Sequence, residues 1–138
     1  MRAVLDPNVL VSAAISPKGA PAELIRRWRT GQFELVVSDH LLDELDRVLR
    51  YPKLRRYIHV EEAEALIAAL RTDGIERDQA AETPRVRSSD PDDDYLIALA
   101  TASGAALVSG DHDLLDLPGE LPIYSPAEFV GRLDQDSP

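Results

Sequence analysis

Acidic residues occur at four places along the chain where the surrounding residues are wrong for an ordinary solvated face. Asp6 follows the apolar run Ala3-Val4-Leu5, and Asp111 follows Ala106-Leu107-Val108 with Ser109 and Gly110 between. Glu44 sits inside the helical segment LLDEL, and Asp90, Asp92, Asp93 and Asp94 crowd the run DPDDD. In an open parallel α/β sheet, side chains just past the carboxyl ends of the strands face the ligand crevice. Three or four carboxylates gathered there without basic partners repel one another. A hard divalent cation with oxygen ligands, Mg²⁺ or Mn²⁺, relieves that repulsion. The pattern therefore predicts an enzyme holding one or two such ions.

The individual acids sort by position. Pro7 forces Asp6 into extended backbone, as at a strand end, although a plain helix N-cap is the alternative. On the helix after Ser38 the apolar stripe Leu41, Leu42, Leu45, Val48 and Leu49 leaves Asp43 on the far side. Glu44 and Asp46 both flank the stripe, and periodicity does not separate them; Asp46 also has Arg50 at the spacing of an i, i+4 ion pair. In DPDDD, Asp90 followed by Pro91 marks a helix start. Asp93 lies in line with the buried stripe of Leu96, Ile97 and Ala100, where a carboxylate is costly unless paired or bound to metal. Asp93 is thus the strongest ligand candidate, with Asp90 and Asp94 as supporting charges. Helix-dipole compensation explains Asp90 and Asp92 but not Asp93.

The elements that must position these acids are legible as an alternation of strands and helices. Strands are expected at residues 2–5, 33–37, 106–108 and 121–124, with short ones near Ile75 and Val86. Helices are expected at 8–15, 21–29, from Ser38 to about Arg50, 53–58, 61–71, from Asp90 to Ser103, and from the Ser125–Glu128 capping box onward. Gly104 is a helix stop. This alternation implies an α/β fold, a mainly parallel sheet covered on both faces. One domain over residues 1–133, with a short acidic tail at 134–138, fits the length of 138 residues.

Composition narrows the class. With 44% hydrophobic and 29% charged residues the chain is ordinary globular protein. It has no cysteine, so thiolate metal sites and disulfides are excluded. That, and an N-terminus without a signal-peptide pattern, fits the cytoplasm. No apolar run approaches the roughly 18 residues of a membrane span. The net charge of −10 argues against nucleic acid when taken alone. Local field decides phosphate contact, however. Arg26, Arg27 and Arg29 form one basic cluster, and Lys53, Arg55 and Arg56 belong to another. His40, His59 and His112 share no ligand spacing, and no nucleotide-binding glycine motif or GxSxG is present.

With these residues in view, the chain resembles the PIN-domain ribonucleases, most closely the bacterial toxin components of toxin–antitoxin pairs related to the VapC toxins. The matching segments are VLDPNVLVSAAISPKGAP, FELVVSDHLLDELDRVLRYPKL, DPDDDYLIALATASGAALVSGDHDLLDL and PIYSPAEFV, in the family's order and over nearly the whole chain. The resemblance implies a three-layer α/β/α domain. It puts the family's acids on Asp6, Glu44, Asp93 and Asp111, and so selects Glu44 over Asp46. It puts the supporting positions on Asn8 and Ser109.

The reaction implied is hydrolysis of an RNA phosphodiester with Mg²⁺ or Mn²⁺. RNA would approach over some of Arg26, Arg27, Arg29, Lys53, Arg55 and Arg56. A cognate antitoxin protein and a homodimer are implied partners. Pro7 departs from the family, which usually has Thr or Ser there. That departure and the charge of −10 support an alternative, a PIN-like module that binds RNA or protein without cutting. A haloacid-dehalogenase-like phosphatase also begins with Asp after a strand, but it wants a second Asp where this chain has Asn8.

Overall fold

The computed structural model describes residues 1–77, 94–115 and 121–136. Strand β1 (Arg2–Leu5) is followed by helices α1 (Pro7–Ile15) and α2 (Ala20–Arg29), then β2 (Glu34–Val37) and α3 (Asp39–Leu49). A short 3₁₀ turn (Pro52–Leu54) leads to α4 (Val60–Asp73) and β3 (Ile75–Glu76). After them come α5 (Asp94–Ser103), β4 (Ala106–Val108), α6 (His112–Leu115), β5 (Ile123–Tyr124) and α7 (Pro126–Asp136).

The five strands form one sheet in the order β3-β2-β1-β4-β5, and every pairing is parallel. Chain order therefore steps one way from β1 to β2 and β3, and the other way from β4 to β5. Right-handed crossovers running in opposite directions put their helices on opposite faces. The contacts agree: α1 packs on α2 and α3, α3 on α4, and α2 on α7, whereas α5 lies against β1 and β4. The result is the expected α/β/α layering.

The central strands are apolar because both of their faces are covered. Ala3, Val4, Leu5, Val36, Val37, Leu107 and Val108 are all buried. Around them close Leu10, Leu24, Leu41, Leu45, Leu49, Leu70, Leu96 and Leu99. Phe129 of α7 is fully buried and meets Phe33 edge-on, ring centroids 5.3 Å apart.

Local signals in the sequence do their work at the ends of elements. The Ser38 hydroxyl accepts the Leu41 N–H and starts α3. Ser125 and Glu128 exchange the two hydrogen bonds of a capping box at the start of α7. Gly104, at φ 62°, ends α5, and the Ala105 N–H closes on the Ala100 carbonyl. The left-handed backbone there favours glycine.

One expectation needs correction. Residues 53–58 do not form a helix; only Pro52–Leu54 makes a 3₁₀ turn. Pro52 fixes the entry, and the bonds Leu54 N–H to Tyr51 O and Arg55 N–H to Pro52 O span three residues, not four. The short helix α6 was not foreseen. Helix α7 runs on to Asp136, into the segment set apart as an acidic tail, and Asp134 is tied to Arg27 at 2.7 Å. The strand expected near Val86 lies outside the described residues. Among the described residues no helix is long and apolar enough to cross a membrane.

Candidate active site

The sheet order reverses between β1 and β4, which is where an open α/β sheet opens its crevice. Leu5 is in register with Val108, so the next residues, Asp6 and Ser109, are neighbours across the same ladder. The Asp6 N–H continues the ladder to the Val108 carbonyl at 2.9 Å. Both residues are buried, Ser109 completely.

The Asp6 carboxylate has two different jobs. Oδ1 accepts the Asn8 N–H at 2.9 Å and caps α1. Oδ2 accepts the Ser109 hydroxyl at 2.8 Å. Asp6 thus caps α1 and also stands at the end of β1. Asn8 itself is exposed and serves Asp6 through its backbone N–H. Pro7 occupies the first position of α1. An N–H there has no partner within the helix, so a proline is accepted without loss.

Ser109 also accepts the Asp111 N–H on its oxygen at 3.0 Å. One hydroxyl therefore orders the loop after β4 and links it to the end of β1.

Helix α3 brings the third acid. Glu44 is half-buried, and its carboxylate Oε2 accepts the Tyr95 hydroxyl from the first turn of α5. The Tyr95 ring stacks on His40, with centroids 4.0 Å apart and planes 20° apart. Asp46, its rival in the sequence, is engaged at the surface by Arg50, whose Nε lies 3.1 Å from both of its oxygens. Asp43 is exposed.

The electrostatics join these residues. Burial pushes the Asp6 carboxyl above the ordinary carboxylate range. The Asn8 N–H and the Ser109 hydroxyl pull it down, and the charges of Glu44 and Asp111 push it up again. The net direction is upward, so an ionised Asp6 is held at a cost. Among the described residues none of the ion pairs includes Asp6.

A metal ion fits this chemistry in part. The donors are hard oxygens of one charge sign, as Mg²⁺ or Mn²⁺ requires. Among the described residues no three acidic or histidine side chains are gathered closely enough to enclose an ion. Asp90 and Asp93 lie outside the described residues; Asp94 is the first residue of α5 and half-buried.

Of the six basic residues singled out in the sequence, the three on α2 are engaged with acids. Arg26 and Arg27 share Glu23, and Arg29 meets Asp73 at 2.7 Å. Lys53, Arg55 and Arg56 lie in the turn between α3 and α4. Tyr95 and His40 were not singled out in the sequence. The only hint was Tyr95's place directly after the acid run, because no spacing rule connects residue 95 to residue 40.

Comparisons with known proteins agree with this fold. Residues 2–113 match the family model described as PIN domain. An uncharacterized protein of Methanocaldococcus jannaschii, MJ1680, is 26% identical, covering 98% of this chain and 93% of that protein. Among solved structures, VapBC2 from Rickettsia felis bound to a DNA fragment from its promoter superposes with a TM-score of 0.59 at 15% identity, covering 91% of this chain and 98% of that one. The PIN domain of human SMG5 gives a TM-score of 0.54 at 14% identity, covering 96% and 98%. Mycobacterium tuberculosis VapC20, a toxin that cleaves the sarcin–ricin loop, gives 0.55 at 18% identity, covering 87% and 99%. At these identities the structures share the fold, and the family match over most of the sequence carries the assignment: the chain belongs to the PIN domain family.

Proposed function

We propose that this protein is a cytoplasmic, metal-dependent endoribonuclease, the toxin of a toxin–antitoxin pair. The observation that carries the proposal is the link from Asp6 through the Ser109 hydroxyl to the Asp111 backbone at the sheet's switch point, where burial first, and the charges of Glu44 and Asp111 after it, raise the Asp6 carboxyl. Membership in the PIN domain family supports nuclease chemistry. The sarcin–ricin loop cleavage of one structural neighbour supports RNA as substrate, and the VapBC2 neighbour supports an antitoxin partner.

In this reading Asp6, Asp93 and Asp111, with Glu44, hold Mg²⁺ or Mn²⁺. The ion, when bound, lowers the pKa of a water and offsets charge on the scissile phosphate. The chain's own residues set the stage. The Ser109 hydroxyl proton is donated to Asp6 Oδ2, which fixes the carboxylate plane and leaves further lone pairs on both oxygens free to bind. The Tyr95 hydroxyl holds Glu44 Oε2, so Oε1 is the oxygen left to orient water. Asn8 and Ser109 act on the carboxylate, not on the substrate.

Three outcomes test the proposal. RNA is cut in Mg²⁺ or Mn²⁺ and spared in EDTA, and Asp93→Asn removes the cutting while the circular dichroism spectrum stays native. Full cleavage by Asp93→Asn takes that residue out of the mechanism. Ser109→Ala lowers metal affinity or turnover by roughly 10–100-fold, the usual effect of losing a partner behind a ligand; a kinetic titration with Mn²⁺ that matches the parent protein refutes the role. Millimolar Mg²⁺ raises the melting temperature, because only the folded chain gathers the acids. An unmoved melting curve favours the non-cutting alternative.

A further inference from the structure

The turn between α3 and α4 differs from the rest of the described surface in two ways. Four large apolar side chains are exposed among the described residues, and three of them, Tyr51, Tyr57 and Val60, fall within residues 51–60. Tyr57 is 56% exposed and Tyr51 39%. The turn also gathers three cations within four residues, Lys53, Arg55 and Arg56, although Lys18, Arg47 and Arg77 elsewhere likewise appear in no ion pair among the described residues. Arg2, Arg26, Arg27, Arg29, Arg50 and Arg71 all pair with carboxylates, but no ion pair among the described residues includes Lys53, Arg55 or Arg56.

Two of these cations lie over the exposed rings. The Lys53 ammonium is 5.9 Å from the Tyr51 centroid, and the Arg56 guanidinium is 5.6 Å from that of Tyr57. Arg55 is different: Nε, Nη1 and Nη2 are all buried, and none has a hydrogen-bond acceptor. Buried donors without acceptors are rare in native structures, and each calls for an explanation. The Arg55 donors are closed to the surface, so the cations that a phosphate can reach here are the exposed Lys53 and Arg56. Exposed aromatic faces interleaved with cations are the means by which proteins hold single strands, with bases on the rings and phosphates on the cations.

We infer that the α3–α4 turn is an anchor for single-stranded RNA, in which Tyr51 and Tyr57 stack bases and the exposed Lys53 and Arg56 take phosphates. The inference rests on RNA being the substrate and adds where the strand is held. Tyr51 is seven residues beyond Glu44, roughly 10 Å along the direction of α3. A strand anchored at the turn therefore passes within a few nucleotides of Glu44. The exposed Glu61 and Glu62 at the start of α4 border the anchor, and Glu62 is engaged in capping, through Oε1, at the His59 N–H.

Fluorescence anisotropy of a labelled oligouridylate, with the wild-type protein in EDTA so that cleavage does not interfere, tests the anchor. Tyr57→Ala is expected to weaken binding by about 5–150-fold, the range for one lost base stack. Tyr57→Phe keeps the affinity, since stacking needs the ring and not the hydroxyl. Lys53→Ala and Arg56→Ala each reduce the salt dependence by about one phosphate contact. Both tyrosines are exposed, so native circular dichroism spectra are expected throughout. Equal affinity for Tyr57→Ala and the parent overturns the anchor and leaves the exposed turn to a protein partner, even where Mn²⁺-dependent cleavage is intact. Oligouridylate binding that depends on Tyr57 without any cleavage upholds the anchor and overturns the nuclease reading instead.

Discussion

Asp6→Asn is expected to stop the proposed RNA cleavage and, in metal-free buffer at neutral pH, to make the protein more stable. Activity falls by more than the roughly 10–100-fold typical of removing a residue behind a metal ligand, because the amide keeps the shape and loses the charge that draws a cation. Stability moves the opposite way for a reason visible in the fold. Asp6 is buried, and Glu44 and Asp111 add like charge, so its carboxyl is raised in the folded state relative to the unfolded chain. A raised folded pKa favours the folded state below the ordinary carboxylate range and loses that favour as pH rises through the folded value. At neutral pH the ionised group is therefore a burden on the fold, one that an uncharged amide does not impose. The cap on α1 survives, since Asn is as good an N-cap as Asp and can still accept the Asn8 N–H. Melting temperatures measured from acid to neutral pH should fall less steeply for the variant. A variant that melts below the parent at neutral pH contradicts the account of Asp6 as a strained charge.

The second large effect is structural. Gly74 joins α4 to β3, and a Cβ built on it lies 2.4 Å from the Leu70 carbonyl oxygen, 3.3 Å from Val37 Cγ2 and 3.4 Å from the Leu35 carbonyl oxygen. Its φ of −77° is ordinary, so the constraint is space and not backbone conformation. Two of the three obstacles are backbone, which cannot swing aside as a side chain can. The Leu70 oxygen is also held by the Gly74 N–H at 2.9 Å, so moving it breaks the last bond of α4. Gly74→Ala should cost roughly 1–3 kcal/mol, the usual range for overpacking. The urea midpoint should drop with the slope unchanged. Because β3 is an edge strand far from the β1–β4 switch point, the folded fraction should keep its activity per molecule. A midpoint equal to the parent's means that the α4–β3 junction yields more easily than its backbone contacts suggest.

The fold was legible wherever local chemistry and burial pointed the same way. Ala3-Val4-Leu5 and Ala106-Leu107-Val108 are short apolar runs ended by polar residues, and they became the two strands that flank the crevice. Ser38, Gly104 and the Ser125–Glu128 pair marked helix ends because each acts within one turn of itself. The segment 53–58 misled because Leu54 and Ile58 are both buried and sit at helical spacing, yet Pro52 and the tight bonds after it allow only a turn.

At the site, Asp6 and Asp111 could be picked out singly from the residues and Glu44 only through the family resemblance, but the link from Asp6 to the loop of Asp111 is a product of the sheet. Only the register of β1 and β4 reveals that Ser109 serves both Asp6 and Asp111. The choice between Glu44 and Asp46 was open on periodicity, and it is the fold that turns Glu44 toward Tyr95 and Asp46 toward Arg50. The helical-face argument for Asp93 concerns a residue outside those described.

The placement of β1 between β2 and β4 has a consequence for how the protein comes into being. The Ser109 hydroxyl reaches Asp6 across 103 positions of sequence. A growing polypeptide thus exposes its first acid early and waits for the other side of the pocket until β4 has emerged. Contacts of such long span also form late in folding, after the local helices. The Asp6–Ser109 link is consequently absent from partly translated chains and arises only as the second half of the protein closes on the first.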